Sequence, residues 1–175
     1  MVIPKKIPVS VLVVIYAADH RFLLIERADK KGYWQSVTGS LDFEHEKPLD
    51  AALRELAEET GIQAQACANT VPLDQMNAQA LLEPYQVRPW PHQLQYEIFE
   101  HWRHRYPDGV THNTEHWFYV CVPEGTVPEL APREHVGYEW VDCIEARKRC
   151  FSPNNAQAIA DLYSHLSQKQ GNMNA

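Results

Sequence analysis

The sequence predicts an α+β fold in which a mixed β-sheet is sandwiched between α-helices. Three observations support this: strand-like runs come first, a strongly periodic helix follows, and the chain ends in further strands and a second helix. The 175 residues, 45% apolar and 22% charged, are enough for one domain with a hydrophobic core. We therefore expect a single domain over residues 1–175, with an insertion at about 70–95.

The first strands are marked by their side chains. Val9 to Ala17 (VSVLVVIYA) is dense in β-branched residues, which predicts a central strand. Asp19 and His20 form a turn, and Arg21 to Glu26 (RFLLIE) returns as the next strand. Trp34 to Thr38 is expected to be short and extended, and a polar loop follows it.

The clearest helix begins near Pro48, which suits a first helical turn because no N–H is needed there. Leu49, Leu53 and Leu56 recur at helical spacing and predict one buried face. Gly61 stands where a left-handed C-cap is wanted. The helix is therefore expected to end just before Gly61.

The second half of the chain is less regular. Between about Thr70 and Gln95, four prolines and little periodicity, except at Asp74 to Leu82, predict an excursion from the core fold. Three further strands and a final helix are predicted at Tyr96–Tyr106, His116–Val122, Gly137–Val141 and Asn155–Gln168.

Composition excludes several classes of function. The net charge of −7 argues against sequence-independent binding of nucleic acid, although a metal ion can still mediate binding of a small anion. None of the four cysteines stands in a CxxC pair, so neither a zinc site nor a redox motif is indicated. No apolar run is long enough for a membrane span. We expect a cytoplasmic protein with reduced thiols.

The stretch RELAEETG, Arg54 to Gly61, concentrates negative charge on one helix face. At about 100° per residue, Glu55, Glu58 and Glu59 fall within roughly 100° of one another, away from the leucine face. Like charges at this spacing destabilise a helix by only about 0.2–0.5 kcal/mol per pair, so a solvated face is one interpretation. A site for Mg²⁺ or Mn²⁺ is the other, because carboxylate oxygens are the ligands these ions prefer.

The residues upstream favour the metal site. The pattern Gly39 … Glu46-x₇-Arg54-Glu55-Leu56-x-Glu58-Glu59-x-Gly61-Ile62 resembles the Nudix box, G-x₅-E-x₇-R-E-U-x-E-E-x-G-U, where U is a bulky aliphatic residue. One feature departs from it: six residues (SLDFEH) separate Gly39 from Glu46, and His45 replaces the usual glycine. The resemblance implies the Nudix fold and Mg²⁺- or Mn²⁺-dependent hydrolysis of a nucleoside diphosphate linked to another group.

The resemblance also implies roles for single residues. Glu55 and Glu59 are expected to bind the metal with help from Glu58, and the Gly39 carbonyl is a further candidate ligand. The catalytic group comprises Glu46, Arg54, Glu55 and Glu58, in which Arg54 holds a glutamate and Glu46 supports that network. The general base is either a glutamate of the box or a carboxylate of a later loop. Glu134 is our hypothesis for that loop, as an additional metal ligand or as the base.

Segments outside the box resemble one subfamily, the bacterial dihydroneopterin triphosphate pyrophosphohydrolases of the folate pathway. These segments are WQSVTGS (Trp34–Ser40), EIFEHWRHRYPDGVTHNTEHWF (Glu97–Phe118) and EHVGYEWVD (Glu134–Asp142). The resemblance implies a small-molecule triphosphate substrate, cleaved to a monophosphate and pyrophosphate. Two alternatives remain: a pyrophosphohydrolase acting on modified or deoxynucleoside triphosphates, and a non-enzymatic Nudix-fold binding module.

Substrate contacts follow from the same resemblance. Cations for the triphosphate are expected at Lys6 and Arg27, and hydroxyls for the ring at Thr38 and Ser152. A flat slot for a pterin is expected from the segment Tyr96, Glu97, Ile98 and Phe99. His101, His104 and His112 are interrupted by Arg103 and Arg105, so we favour an exposed basic strand over a zinc site there.

Overall fold

The computed structural model describes residues 2–68, 71 and 75–171, which form a mixed eight-stranded sheet with helices on both faces. The strands are β1 Val9–Tyr16, β2 Phe22–Arg27, β3 Trp34–Gln35, β4 Val37–Ser40, β5 Gln65–Ala66, β6 Gln86–Glu97, β7 His112–Cys121 and β8 His135–Val141. The helices are α1 Pro48–Thr60, α2 Ala78–Leu81, α3 Cys143–Arg149 and α4 Pro153–Gly171, together with a 3₁₀ helix at Glu100–Arg105.

Strand β1 is the centre of the sheet. It runs parallel to β7 along its whole length, and its first half pairs antiparallel with β4. At its other end it meets β2 through the pair Tyr16 and Phe22, and β2 continues the sheet to β3 and β8. The two halves of β1 therefore have different neighbours on one side, and this places β4 beside the start of β1.

The core has two layers, one on each face of the sheet. Helix α1 packs against the face that carries Val11, Val13 and Ile15. Helices α3 and α4 pack against the opposite face, which carries Leu12 and Val14. Because both faces of β1 are covered, its run of apolar residues is uninterrupted. The predicted sandwich is confirmed.

Helix α1 begins and ends where the sequence predicts. Lys47 precedes it without a side-chain cap, and Pro48 opens the first turn. Gly61 closes the helix in the left-handed conformation with φ of 69°, and its N–H bonds to the carbonyl of Ala57. The Glu129 N–H reaches the Thr60 carbonyl at 2.8 Å, so the chain before β8 is tied to this helix end.

The predicted excursion at about 70–95 is wrong over residues 86–95. These residues belong to β6, which pairs antiparallel with β7. The register shifts between Pro89 and Gln93, which marks a bulge, and a bulge accommodates prolines that a regular ladder would not. The predicted helical stretch from Asp74 is observed only as the short α2, and Asp74 itself lies outside the described residues.

The predicted strand at Tyr96–Tyr106 is wrong beyond Glu97. Glu97 forms the last pair of β6, with His112, and the chain must turn there to reach the start of β7. It does so through the 3₁₀ helix, whose Trp102 N–H bonds to the Phe99 carbonyl at 2.8 Å. Helix α3 was not predicted from the sequence, although Asp142 caps it by accepting a hydrogen bond from the Glu145 N–H.

Two further observations concern the cysteines and the length of the helices. Among the described residues, none of the four cysteines forms a disulfide. Within the described ranges, every helix is too short or too polar to cross a membrane.

Candidate active site

Arg54 organises the carboxylates around helix α1. Its Nε and Nη2 donate to both oxygens of Glu46 at 2.9 and 3.1 Å. Its Nη1 donates to Glu55 Oε1 at 2.7 Å and to Glu58 Oε2 at 3.3 Å, and Nη2 also reaches the Ser40 carbonyl at 3.1 Å. One guanidinium therefore hydrogen-bonds to three carboxylates and to the strand beside them, and its Nε also lies 3.2 Å from Asp42 Oδ2, as expected for a positioning residue.

Glu46 is the buried anchor of this network. The hydrogen bonds from Arg54 hold the pKa of Glu46 below its usual value, and the Asp42 N–H adds another at 2.7 Å. The Glu46 N–H bonds back to the Phe43 carbonyl at 3.0 Å. The additional residue of this loop is thus absorbed in a turn after β4, while Gly39 remains in the strand, paired with Val11.

Gly39 is required because Glu55 occupies the space above it. A Cβ added to Gly39 would lie 2.0 Å from Glu55 Cδ and 2.0 Å from Glu55 Oε1. Burial raises the pKa of Glu55 to about 7; the hydrogen bond from Arg54 opposes the rise, and the charges of Glu59 and Glu58 add to it. The glycine lets this carboxylate lie directly against the backbone of β4.

Glu59 is the most deeply buried of the three α1 glutamates, with 4% of its surface exposed. Its Oε2 accepts the Thr38 N–H at 3.3 Å, and its Oε1 lies 3.3 Å from His135 Nε2, within ion-pair distance. Burial raises the pKa of Glu59, and the contact with His135 opposes that rise. Among the described residues, Nδ1 of His135 is buried without a hydrogen-bond partner.

The loop before β8 delivers Glu134 to the same place. The N–H groups of Glu134 and His135 both bond to the Ala131 carbonyl, at 3.0 and 2.9 Å. As a result, one potential ligand atom from each of Glu59, Glu134 and His135 lies within 4.8 Å of the others. The predicted neighbour Glu134 is therefore beside Glu59. His135 was missed, and the only signal for it in the sequence is its position next to Glu134.

These residues fit a divalent cation. The carboxylates of Glu55, Glu59 and Glu134 are hard oxygen donors of the kind that Mg²⁺ and Mn²⁺ bind. Two of them, Glu55 and Glu59, are buried among like charges, and a cation would relieve the repulsion that burial intensifies. Glu58 is 59% exposed at its side chain and lies at the rim.

Lys6 and Arg27, the two predicted phosphate-binding cations, are electrostatic neighbours of the acidic centre. Burial, followed by Arg105 and Arg27, lowers the pKa of Lys6, while Glu55 and Glu134 raise it, so Lys6 lies within electrostatic reach of both carboxylates. The Lys6 N–H also ties this segment to the Arg105 carbonyl at 2.8 Å. Arg27 is held by Asp29 through bonds of 2.8 and 2.6 Å.

The candidate ring contacts lie on the sheet face covered by α4. Thr38 Oγ1 accepts a hydrogen bond from Gln35 at 3.3 Å, and the Tyr96 hydroxyl accepts one from Asn113 at 3.1 Å. Ser152 lies at the start of α4, where its Oγ accepts the Asn155 N–H at 3.4 Å.

An aromatic chain borders this face. Phe99, exposed over 58% of its surface, contacts Trp102 edge-on with centroids 5.5 Å apart. Trp102 in turn lies 6.3 Å from Phe151. Ile98 is buried, and Glu97 points away from Tyr96 and bonds to Arg103. Over the described residues, His101, His104 and His112 join no group of metal-capable side chains.

Comparisons with known proteins agree with this geometry. The NUDIX domain family model matches residues 6–162. A dihydroneopterin triphosphate diphosphatase of Escherichia coli (strain K12) is 41% identical over 155 residues, covering 88% of this chain and 91% of that protein. One from Haemophilus influenzae is 36% identical over 158 residues, covering 90% of this chain and 88% of that protein. The solved E. coli dihydroneopterin triphosphate pyrophosphohydrolase aligns with a TM-score of 0.72 and 39% identity, covering 91% of this chain and 97% of that one.

Proposed function

The chain belongs to the Nudix family of hydrolases, and from this membership we propose that it converts dihydroneopterin triphosphate to dihydroneopterin monophosphate and pyrophosphate. The 41% identity to the E. coli diphosphatase over 88% of the chain carries the choice of substrate. The carboxylate cluster on α1 supports the reaction type, because Nudix enzymes cleave phosphoric anhydride bonds.

The proposed site divides into three groups of residues. The metal is held by Glu55, Glu59 and Glu134, with Glu58 at the rim and the Gly39 carbonyl as a further ligand. The triphosphate is bound by Lys6 and Arg27. The ring is lined by Thr38, the segment 96–99 and Ser152.

Each of the chain's own residues has a separate part in the reaction. Arg54 holds Glu55 and Glu58 against β4, and Glu46 holds Arg54. Lys6 and Arg27 neutralise part of the triphosphate charge and align the phosphate chain of the substrate over the carboxylates. When bound, Mg²⁺ or Mn²⁺ supplies charge neutralisation and lowers the pKa of a water. The proton leaves to a carboxylate of this cluster, either a glutamate of α1 or Glu134.

Product analysis tests the proposal. The purified protein is incubated with dihydroneopterin triphosphate and Mg²⁺, and the released phosphate species is identified. We expect pyrophosphate with no orthophosphate, and no turnover after chelation of the metal. A panel of deoxynucleoside triphosphates run in parallel addresses the alternative. A purine deoxynucleotide hydrolysed far faster than the pterin would replace the proposed substrate.

A further inference from the structure

Glu115 is a buried carboxylate that the reaction described above does not use. It lies in β7 with 7% of its surface exposed. Its Oε1 accepts a hydrogen bond from Trp117 Nε1 at 2.8 Å, and no other hydrogen bond to it occurs over the part of the chain that the structure describes. A carboxylate removed from water normally has several donors, because one donor offsets little of its lost hydration.

The strand register places Glu115 on the face of the proposed ring site. Ser10 of β1 lies opposite Ser40 on one side and Glu115 on the other. Leu12, two residues on, lies opposite Thr38 and Trp117. Side chains two residues apart share one face of a sheet, so Glu115 lies on the same face as Thr38.

Its neighbours on this face are also incompletely paired. Asn113 is almost fully buried and donates to Ser10 Oγ at 2.7 Å and to the Tyr96 hydroxyl at 3.1 Å. Among the described residues, Asn113 Oδ1 is buried with no hydrogen-bond partner. Burial, followed by the charge of Glu115, raises the pKa of Tyr96 to about 12, so Glu115 and Tyr96 are electrostatic neighbours. The Glu115 carboxylate, with its single donor, therefore lies beside the Tyr96 hydroxyl, which keeps its proton at neutral pH.

We propose that Glu115 binds the N–H edge of a 2-amino-4-oxopyrimidine ring, the edge that pterins and guanine share. This edge presents a ring N–H and an exocyclic amino group side by side, which match the two oxygens of a carboxylate. The adjacent ring carbonyl is an acceptor, for which the Tyr96 hydroxyl is a suitable donor. Glu115 is thus a residue that determines specificity, and this role rests on the proposed function for the identity of the ring.

The test compares ligands that differ only at the amino group. dGTP and dITP are measured as substrates and as competitors of dihydroneopterin triphosphate, for the wild type and for Glu115→Gln. The wild type should prefer dGTP over dITP, and Glu115→Gln should bring that ratio close to one. For the pterin, Glu115→Gln should lower kcat/KM about 10- to 100-fold, mainly through KM, because the ring is remote from the reacting phosphate.

Glu124→Gln is the matched control, since Glu124 is exposed just after β7 and should leave both measurements unchanged. Circular dichroism and Tm establish that each variant is folded, and a wild-type ratio near one counts against the inference whether or not Glu115→Gln folds. A wild-type ratio near one, or a ratio that Glu115→Gln leaves intact, overturns the inference.

The same data separate this inference from the proposed function. Pterin hydrolysis that Glu115→Gln leaves unchanged overturns the role of Glu115 and keeps the substrate. Absence of pterin hydrolysis, together with a dGTP preference that depends on Glu115, overturns the substrate and supports the role.

Discussion

The crowding of glutamates on α1 is resolved by two different basic side chains. Arg54 donates hydrogen bonds to Glu55 and Glu58. His135, the first residue of β8, lies 3.3 Å from Glu59 through its Nε2. The three carboxylates therefore differ in environment: Glu58 is exposed, Glu55 is largely buried and bound by the guanidinium, and Glu59 is buried beside the imidazole.

Replacing Glu59 tests the role of the buried α1 carboxylate. Glu59→Gln keeps the shape and removes the charge, so we expect kcat/KM with Mg²⁺ to fall by about 10²-fold or more, as for other groups that hold transition-state charge. The Tm should be unchanged or higher, because the variant no longer buries a carboxylate. Glu124→Gln serves as the control in the same kinetic and thermal assays. Retained activity would remove Glu59 from the metal site.

Glu134 is tested through its metal dependence. Glu134→Gln should lower turnover and raise the Mg²⁺ concentration needed for half-maximal rate. The reason is that potential ligand atoms of Glu134, Glu59 and His135 lie within 4.8 Å of one another. The measurement is initial rate against Mg²⁺ concentration. Normal turnover with a normal Mg²⁺ curve would exclude this role.

Gly39 offers a test of the fit between strand and helix. In Gly39→Ala the new Cβ would overlap Glu55 and must displace its carboxylate. We expect kcat/KM to fall at least about 10-fold, since small displacements of a catalytic group are costly, while the protein remains folded. Gly137→Ala in β8 is the control, because its Cβ would meet other atoms only at 3.6 and 3.9 Å. Equal activity in the two variants would contradict the fit.

Helix α1 depends on how its last turn is held by the chain before β8. The left-handed Gly61 reverses the chain direction, and Glu129 packs across it. This contact links the helix that carries Glu55 and Glu59 to the loop that carries Glu134. The two halves of the candidate metal site are therefore fixed relative to each other by backbone contacts.

The Gly61 turn can be tested by its effect on stability. Gly61→Ala combines an unfavourable φ of 69° with a Cβ 2.9 Å from Glu129 Cβ, and should lower the free energy of unfolding by about 1–3 kcal/mol. Gly109→Ala has a similar φ of 84° with no atom within 4 Å, so it isolates the conformational contribution. Urea unfolding of both variants measures the difference, and equal losses would show that the Glu129 contact is unimportant.

Elements with local signals were predictable, and elements defined by distant partners were not. Pro48 and Gly61 mark the ends of α1 within the sequence itself. By contrast, β6 is a strand only because β7 pairs with it, and its prolines lie at a bulge that no local pattern reveals. The aromatic and basic run after Glu97 alternates like a strand, but the need to reach His112 turns it into a 3₁₀ helix.

The same distinction applies to the candidate site of the whole molecule. The spacing from Gly39 to Ile62 predicted the α1 carboxylates and Arg54, because one helix and one loop carry them. His135 and Glu115 could not be found this way. The contact of His135 with Glu59 arises from packing between β8 and α1, and the shared face of Glu115 and Thr38 arises from strand pairing. Sequence spacing describes a helix face well and a sheet face poorly.

The titration of the acidic centre predicts how stability depends on pH. Without metal, the pKa of Glu55 is about 7 in the folded chain against an ordinary 4.5, so the folded state holds a proton that the unfolded state releases. The free energy of unfolding should therefore fall by about 1–3 kcal/mol as pH rises from about 4.5 through 7. Chemical denaturation at a series of pH values measures this slope, and Glu55→Gln should flatten it.

Metal binding should reverse that trend, because a cation binds the deprotonated carboxylates. The rise in Tm on adding Mg²⁺ is expected to be larger at pH 8 than at pH 5.5. Buffers that contain a chelator and no divalent metal provide the baseline Tm at each pH. A Mg²⁺ effect that is the same at both pH values would show that these carboxylates are not the ligands.

The bulge in β6 also affects how copies of the chain meet one another. Beyond Val87, no strand in the described ranges pairs with the outer edge of β6, and an open edge is a template for sheet growth between molecules. Pro89 and Pro91 remove two N–H donors from this strand, and the register shift interrupts its regular spacing. The irregularity in β6 should therefore disfavour edge-to-edge pairing between copies of the chain.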